Sequence, residues 1–323
     1  MTSYAAFERT LTDRLGGGGQ GEIFRIGKTD TAFKRYTNPR SVEVSSLEGL
    51  VSWYLSLPQS EQDRLKKHTA WPTEIKYLDD GTLAGFIMPI APEYSFVNRV
   101  VGSISKRQLL ELGMIMDQMR PAYKSWLPSI SVEQRFEVIV NFLELVTWFH
   151  DSNLVLGDIS GRNFAWRPDS MDLFFMDCDA YLQVGKKPAS PQLETPAFHD
   201  PDPFPPVVPG ESKKDSDNYK VSLVVMRLMT QLMNVKPDGS DEMSPVVMAR
   251  LLQFERQLGM NHLEWRVKEL WKKAGSGGGL RPTPSEWLAA FRNERGMVAV
   301  TPPAPLDPTA PRPRRPREYI DLS

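Results

Sequence analysis

Residues 154–179 read LVLGDISGRNFAWRPDSMDLFFMDCD. Asp158 is followed five residues on by Asn163, and Asp177 comes fourteen after that, flanked by short apolar runs. This spacing sets two acids and an amide on loops between strands. Mg²⁺ takes hard oxygen ligands, usually one or two carboxylates together with phosphate oxygens and water. Asn163 and Asp177 are therefore candidate metal ligands. Asp158 remains free to accept a proton from an attacking hydroxyl, the division of labour that phosphoryl transfer needs. On its own D-x-x-x-x-N also fits a pair of turns, because Asp and Asn bond their own backbone there.

Composition bounds the rest. The 323 residues carry 39 Lys and Arg against 40 Asp and Glu, and 41% are hydrophobic. That suits one large or two modest globular units. Without a basic excess a nucleic-acid partner is not expected. No apolar run reaches the ~18–20 residues that cross a bilayer, and the N-terminus lacks a signal-peptide core. Cys178 is the single cysteine, so no intrachain disulfide or zinc cluster can form, and a cytoplasmic location is the simplest expectation.

Outward toward the N-terminus, LGGGGQGEIFRI (15–26) puts Gly16, Gly18 and Gly21 in the order G-x-G-x-x-G, with Ile23 two positions on. Bare backbone N–H groups in such a turn can approach phosphate oxygens. A dinucleotide fold would continue into a helix, whereas EIFRIGKTDTAFKRY alternates and reads as a hairpin. A flexible glycine linker is the competing reading. Lys34 lies on the second arm between apolar neighbours, either solvated at an edge or turned inward toward phosphates. The periodic run 41–57 offers Glu43 and Glu48 as its partner, and Glu48 is preferred because it lies nearer the middle of the run.

Residues 70–90 read as two strands around Asp79-Asp80-Gly81, and the β-rich part is expected to end near residue 92. Residues 105–124 read as helix. Over 131–150 Ser131 and Gln134 form a capping signature, and Phe136, Ile139, Leu143, Val146 and Phe149 recur at helical steps. A proline-rich segment, 187–212, follows Asp177, and it is long for a simple connection. Buried helix is expected over 217–233, a more polar one over 244–258, and a short one capped by Ser285. The Pro/Arg-rich end, 298–323, lacks the apolar content to fold and reads as a disordered tail.

Taken in order, these features resemble a protein kinase domain. Closer still, AWPTEIKYLDDGTLAGFIMP, GDISGRNF, MDCDAY and LRPTPSEW are similar to a bacterial protein kinase-like family often fused to helix-hairpin-helix regions. The resemblance implies a bilobal α+β fold over 11–297, with a small β-rich N-lobe (11–92) and a large helical C-lobe (93–297). It implies ATP and Mg²⁺ or Mn²⁺ as cofactors and Ser/Thr hydroxyls of a protein as the acceptor. Members are commonly associated with a metal-dependent phosphatase and a von Willebrand A-type protein in stress or phage response. Carried onto this chain, Gly16, Gly18, Gly21 and Ile23 would cover the nucleotide, and Lys34, held by Glu48, would meet its phosphates. Met88, Ile90 and Ala91 would line the adenine pocket. Asp158 would be the catalytic base, with Asn163 and Asp177 on the metals. His150 resembles the histidine closing the long helix, Asp217 the aspartate that braces the catalytic loop, and Arg281 an arginine that pairs with an acid, here Asp202.

Several positions depart from that pattern. Leu156-Gly157 stand where His-Arg is common, which makes activation by loop phosphorylation less expected. Ser160 replaces the lysine two after the aspartate, and Arg162 could serve the same phosphate. Asp177-Cys178-Asp179 replaces Asp-Phe-Gly: Cys178 is expected to fill the phenylalanine slot as a small hydrophobe, and Asp179 either binds a cation or marks a degraded site. Two alternatives stay open, a nucleotide-binding pseudokinase and a small-molecule phosphotransferase of the aminoglycoside or choline kinase type, which the Gly157-Asp158 pair resembles.

Overall fold

A computed structural model describes residues 3–123, 125–192, 194–203, 213–240, 242–277 and 279–294. The Pro/Arg-rich tail and residues 193 and 204–212 of the proline-rich segment lie outside the described residues. The chain is mixed α+β, with an antiparallel sheet at its N-terminal end and a helical C-terminal part.

Helix α1 (Tyr4–Glu8) packs Phe7 edge-on to Phe33 with ring centres 5.1 Å apart. Strands β1 (Leu11–Gly18), β2 (Gly21–Ile26) and β3 (Thr31–Tyr36) then form the expected hairpins, with Gly18 opposite Gly21 at the first turn. No helix follows the glycines, which disposes of a dinucleotide-type unit. The motif glycines serve different ends. A Cβ on Gly21 would sit 2.3 Å from the Arg35 carbonyl oxygen, so close strand packing demands glycine there. At Gly16 and Gly18 a Cβ would meet nothing within 4 Å.

Helices α2 (Val44–Ser56) and α3 (Gln59–His68) lead to β4 (Glu74–Tyr77) and β5 (Leu83–Pro89), which complete the sheet in the order β1-β2-β3-β5-β4. Past the sheet the helical reading of 105–124 fails. Strands β6 (Phe96–Val101) and β7 (Ile104–Leu109) pair instead, and helix is confined to the short α4 (Leu112–Met116). The reason is local: β-branched Val97, Val100 and Ile104 flank a Gly102-Ser103 turn in which Gly102 is left-handed at φ +62°, and Pro121 closes off a longer helix.

Helix α5 (Val132–Asp151) is capped as expected: Ser131 Oγ accepts the Gln134 N–H at 3.2 Å and the Ser131 N–H donates to Gln134 Oε1 at 2.8 Å. Its five periodic apolar residues are all buried, each contributing roughly 1.5–3 kcal/mol. Four short strands follow: β8 (Leu154–Val155), β9 (Phe164–Trp166), β10 (Leu173–Phe175) and β11 (Leu182–Gln183). They pair as β8 with β11 and β9 with β10. Helix α6 (Lys214–Thr230) is buried nearly all round but starts and stops three residues before its expected bounds. Gln231 turns left-handed at φ +55°, and buried Arg135 reaches from α5 to donate to the Leu228 and Met229 carbonyls at 3.1 and 3.2 Å. These contacts supply donors to terminal carbonyls that a helix end otherwise leaves unpaired.

Helix α7 (Pro245–Leu258), capped by Ser244, matches expectation. Helix α8 (Leu263–Gly275) had no counterpart in the sequence reading. Before α9 (Pro284–Glu294) the cap is Thr283, not Ser285: Thr283 Oγ1 accepts the Glu286 N–H at 3.2 Å while its own N–H donates to Glu286 Oε2 at 2.8 Å. Ser285 lies inside the first turn. Threonine wins because the acid three residues on reciprocates the bond, which is what makes a capping box.

Candidate active site

The loop Leu156–Asn163 is held from below by α6. Asp217, fully buried, accepts the Leu156 and Gly157 N–H groups at 2.7 and 2.9 Å and lies 3.1 Å from His150 Nε2. Lys220, one turn along, donates to the Gly157 carbonyl at 2.6 Å and pairs with Glu194. Gly157 takes φ +80°, and a Cβ there would lie 2.2 Å from the Gln192 carboxamide, so this turn also requires glycine. The result is a rigid seat for Asp158.

Asp158 Oδ2 accepts from Asn163 Nδ2 at 2.9 Å, and Oδ1 accepts from the Thr195 hydroxyl at 3.1 Å and its N–H at 3.3 Å. Asn163 Nδ2 also donates to the Asp158 carbonyl at 2.8 Å. With its amide hydrogens so engaged, its Oδ1 is the atom left for a cation. The Met176 N–H donates to the Asn163 carbonyl at 2.8 Å, which brings the two loops side by side. Asp177 follows directly, left-handed at φ +52° with its carboxylate exposed. Aspartate tolerates that backbone better than most residues.

Lys34 is only 4% exposed. Its ammonium meets Asp179 Oδ1 and Oδ2 at 2.8 and 3.0 Å and Asp177 Oδ1 at 3.4 Å. Burial works against the charged lysine, but the two carboxylates outweigh it and its pKa stands above the ordinary value. Asp179 is fully buried and also accepts from the Tyr36 hydroxyl at 3.0 Å. Burial raises the Tyr36 pKa far above normal, with Asp179 adding to the effect, so the phenol stays a donor.

One cavity of about 360 Å³ gathers Gly18, Gly21, Ile23, Lys34, Asp158, Asn163 and Asp177. That is within the size range of ligand pockets. Gly17, Gly19 and Gln20 join them, whereas Gly16 does not. Met88, Ile90 and Ala91 lie outside its lining as well. They pack into the smaller hydrophobic cluster beside the sheet, and the Ile90 N–H is taken up by the Asp30 carbonyl at 3.1 Å.

Glu48 does not hold Lys34. It is exposed and accepts from the Tyr77 hydroxyl at 2.7 Å, while Glu43 accepts from Ser45 Oγ at 2.8 Å. Helical periodicity located the helix but not which strand its acid would face. Arg281 likewise takes a different acid: Asp200 binds it at 2.5 and 2.8 Å, and Asp202 contributes its carbonyl at 2.7 Å rather than its carboxylate. Arg162 is exposed. Sequence reasoning missed Thr195 as a partner of Asp158, and it missed Lys220. A lysine inside a helix expected to be buried was the available signal for the latter.

Cys178 is buried, with its Sγ 3.4 Å from the Phe175 carbonyl, and burial pushes its pKa well up. It fills a core position, as expected. Folded protein should resist iodoacetamide, and urea-unfolded protein should react at the rate of a free thiol. Rapid alkylation of the folded chain would contradict this burial.

The donors fit a divalent cation of the Mg²⁺ type. Among the described residues no cluster of three or more His, Cys, Asp or Glu side chains is suited to grip a metal unaided. Asn163 and Asp177 offer the two oxygen donors that suffice when phosphates and water complete the shell. Among the described residues no helix is long and apolar enough to cross a membrane. No protein-family model matches the chain, and no curated protein resembles it significantly.

Proposed function

We propose that the chain is an ATP-dependent phosphotransferase of the protein kinase type, acting on Ser/Thr hydroxyls of a protein. The observation that carries the reading is the convergence of Lys34 on β3 with Asp158, Asn163 and Asp177, from two neighbouring loops more than a hundred residues along the chain, on one cavity under the glycine hairpin. Bound Mg²⁺ would neutralise phosphate charge between Asn163 and Asp177. Lys34 orients the phosphates from the sheet side. Asp158 orients the acceptor hydroxyl and takes its proton; Thr195 already directs a hydroxyl at that carboxylate. Catalysis of this kind is mostly positioning and charge stabilisation.

By resemblance, the protein partners are a metal-dependent phosphatase and a von Willebrand A-type protein, and the setting is bacterial stress or defence signalling in the cytoplasm. A nucleotide-binding pseudokinase is the second reading, because Lys34 is held by Asp179 instead of a helix glutamate. Mg·ATP should raise the melting temperature, and label from γ-labelled ATP should pass to a protein acceptor but not to aminoglycosides or choline. Label on the small hydroxyl compounds would move the reading to a small-molecule phosphotransferase. A melting shift without transfer to any acceptor would favour the pseudokinase.

A further inference from the structure

We infer that Asp179, two residues after the candidate metal ligand, is the residue that positions Lys34 for the nucleotide phosphates, and that helix α2 takes no part in holding it. The inference rests on the phosphotransferase reading and deepens it.

Three observations carry it. Asp179 is fully buried with all of its visible bonding directed at two groups, the Lys34 ammonium and the Tyr36 hydroxyl. Lys34 and Tyr36 sit two apart on β3, hence on one face of the strand. Their side chains therefore grip the same carboxylate from one strand, fixing the lysine's rotamer. Neither acid of the α2 region reaches this group: Glu48 is spent on Tyr77 at the far edge of the sheet, and Glu43 on Ser45.

A glycine or an asparagine at 179 would leave the ammonium with Asp177 as its one nearby counter-charge, at 3.4 Å and on an exposed carboxylate that a metal would claim. The cation's counter-charge and the metal ligand thus ride on one short segment, Asp177–Asp179. Lysine and metal positions are set together by that segment. Asp179 is accordingly a positioning residue, not a marker of decay, and any displacement of α2 would leave the lysine where it is.

The test compares Asp179→Asn, Asp179→Glu and Glu48→Ala with the native chain, each verified as folded by its melting curve. Mg·ATP affinity is measured by calorimetry, and kcat and KM for ATP by label transfer. Asp179→Asn is expected to lower kcat at least ten-fold and raise KM for ATP, leaving KM for the protein acceptor unchanged. Asp179→Glu should recover part of the loss. Glu48→Ala should stay within two-fold of native in affinity, kcat and KM. A ten-fold loss in Glu48→Ala would overturn the inference even if the Asp179 variants failed to fold. Tighter Mg·ATP binding in Asp179→Asn would also overturn it, by making Asp179 a clamp that withholds the lysine. If the native chain itself binds no Mg·ATP, the proposed function fails and this inference falls with it.

Discussion

Arg281→Met is expected to lower the unfolding free energy by about 3–5 kcal/mol, the cost of stripping one partner from a buried ion pair. Arg281 is 4% exposed and Asp200 1%. The guanidinium grips both Asp200 oxygens, lies 3.1 Å from Asp215 and stacks over the Tyr219 ring at 4.9 Å. Methionine fills much of the volume but leaves the Asp200 carboxylate buried without its cation. Ser216 Oγ, 2.7 Å from Asp200, cannot replace that charge. The loss should be read by urea denaturation followed by circular dichroism. A loss under about 1 kcal/mol would mean that water already reaches the pair, as at exposed bridges.

Asp217→Ala should be comparably damaging and should also slow any transfer reaction. The carboxylate satisfies two backbone N–H groups of the Leu156–Asn163 loop besides contacting His150. Each buried donor left unpaired costs about 1–3 kcal/mol. Asp217→Asn keeps one acceptor oxygen for the two N–H groups and should fall between the native chain and the alanine variant. Stability and transfer rate should decline in the same order across the three proteins. Equal stability of the alanine variant and native protein would show that the loop does not hang from α6.

The helical core was legible because its signals are local. Ser131, Gln134 and the apolar steps of α5 specify start, direction and buried face without reference to any other segment. The β1–β3 hairpins were legible for a similar reason, through glycine turns between alternating strands. Pairings between distant segments were not. Whether Lys34 meets Glu48 or Asp179 depends on how α2 leans on the sheet, and nothing within residues 41–57 encodes that. Asp200 and Asp202 are chemically equal in sequence; only the path of the chain decides which carboxylate faces Arg281. The β6–β7 hairpin was misread because its charged residues also suit an exposed helix, and the turn at Gly102 carried the deciding information. Asp158, Asn163 and Asp177, which the fold brings to one cavity, could be singled out in the sequence because the metal and phosphate chemistry proposed for them restricts residue type as well as spacing.

The most direct test of the central claim is transfer of label from γ-labelled ATP, with Mg²⁺, to the chain itself and to a generic basic protein, for native protein and Asp158→Asn. Asparagine preserves the shape and the contact with Thr195 but cannot take a proton. A general base typically contributes 10²–10⁴-fold. Native protein should therefore transfer label, and Asp158→Asn should retain Mg·ATP affinity while transferring at least a hundred-fold more slowly. Equal transfer by the two proteins would contradict the role of Asp158, and the absence of both transfer and Mg·ATP binding in the native chain would contradict the phosphotransferase site as a whole.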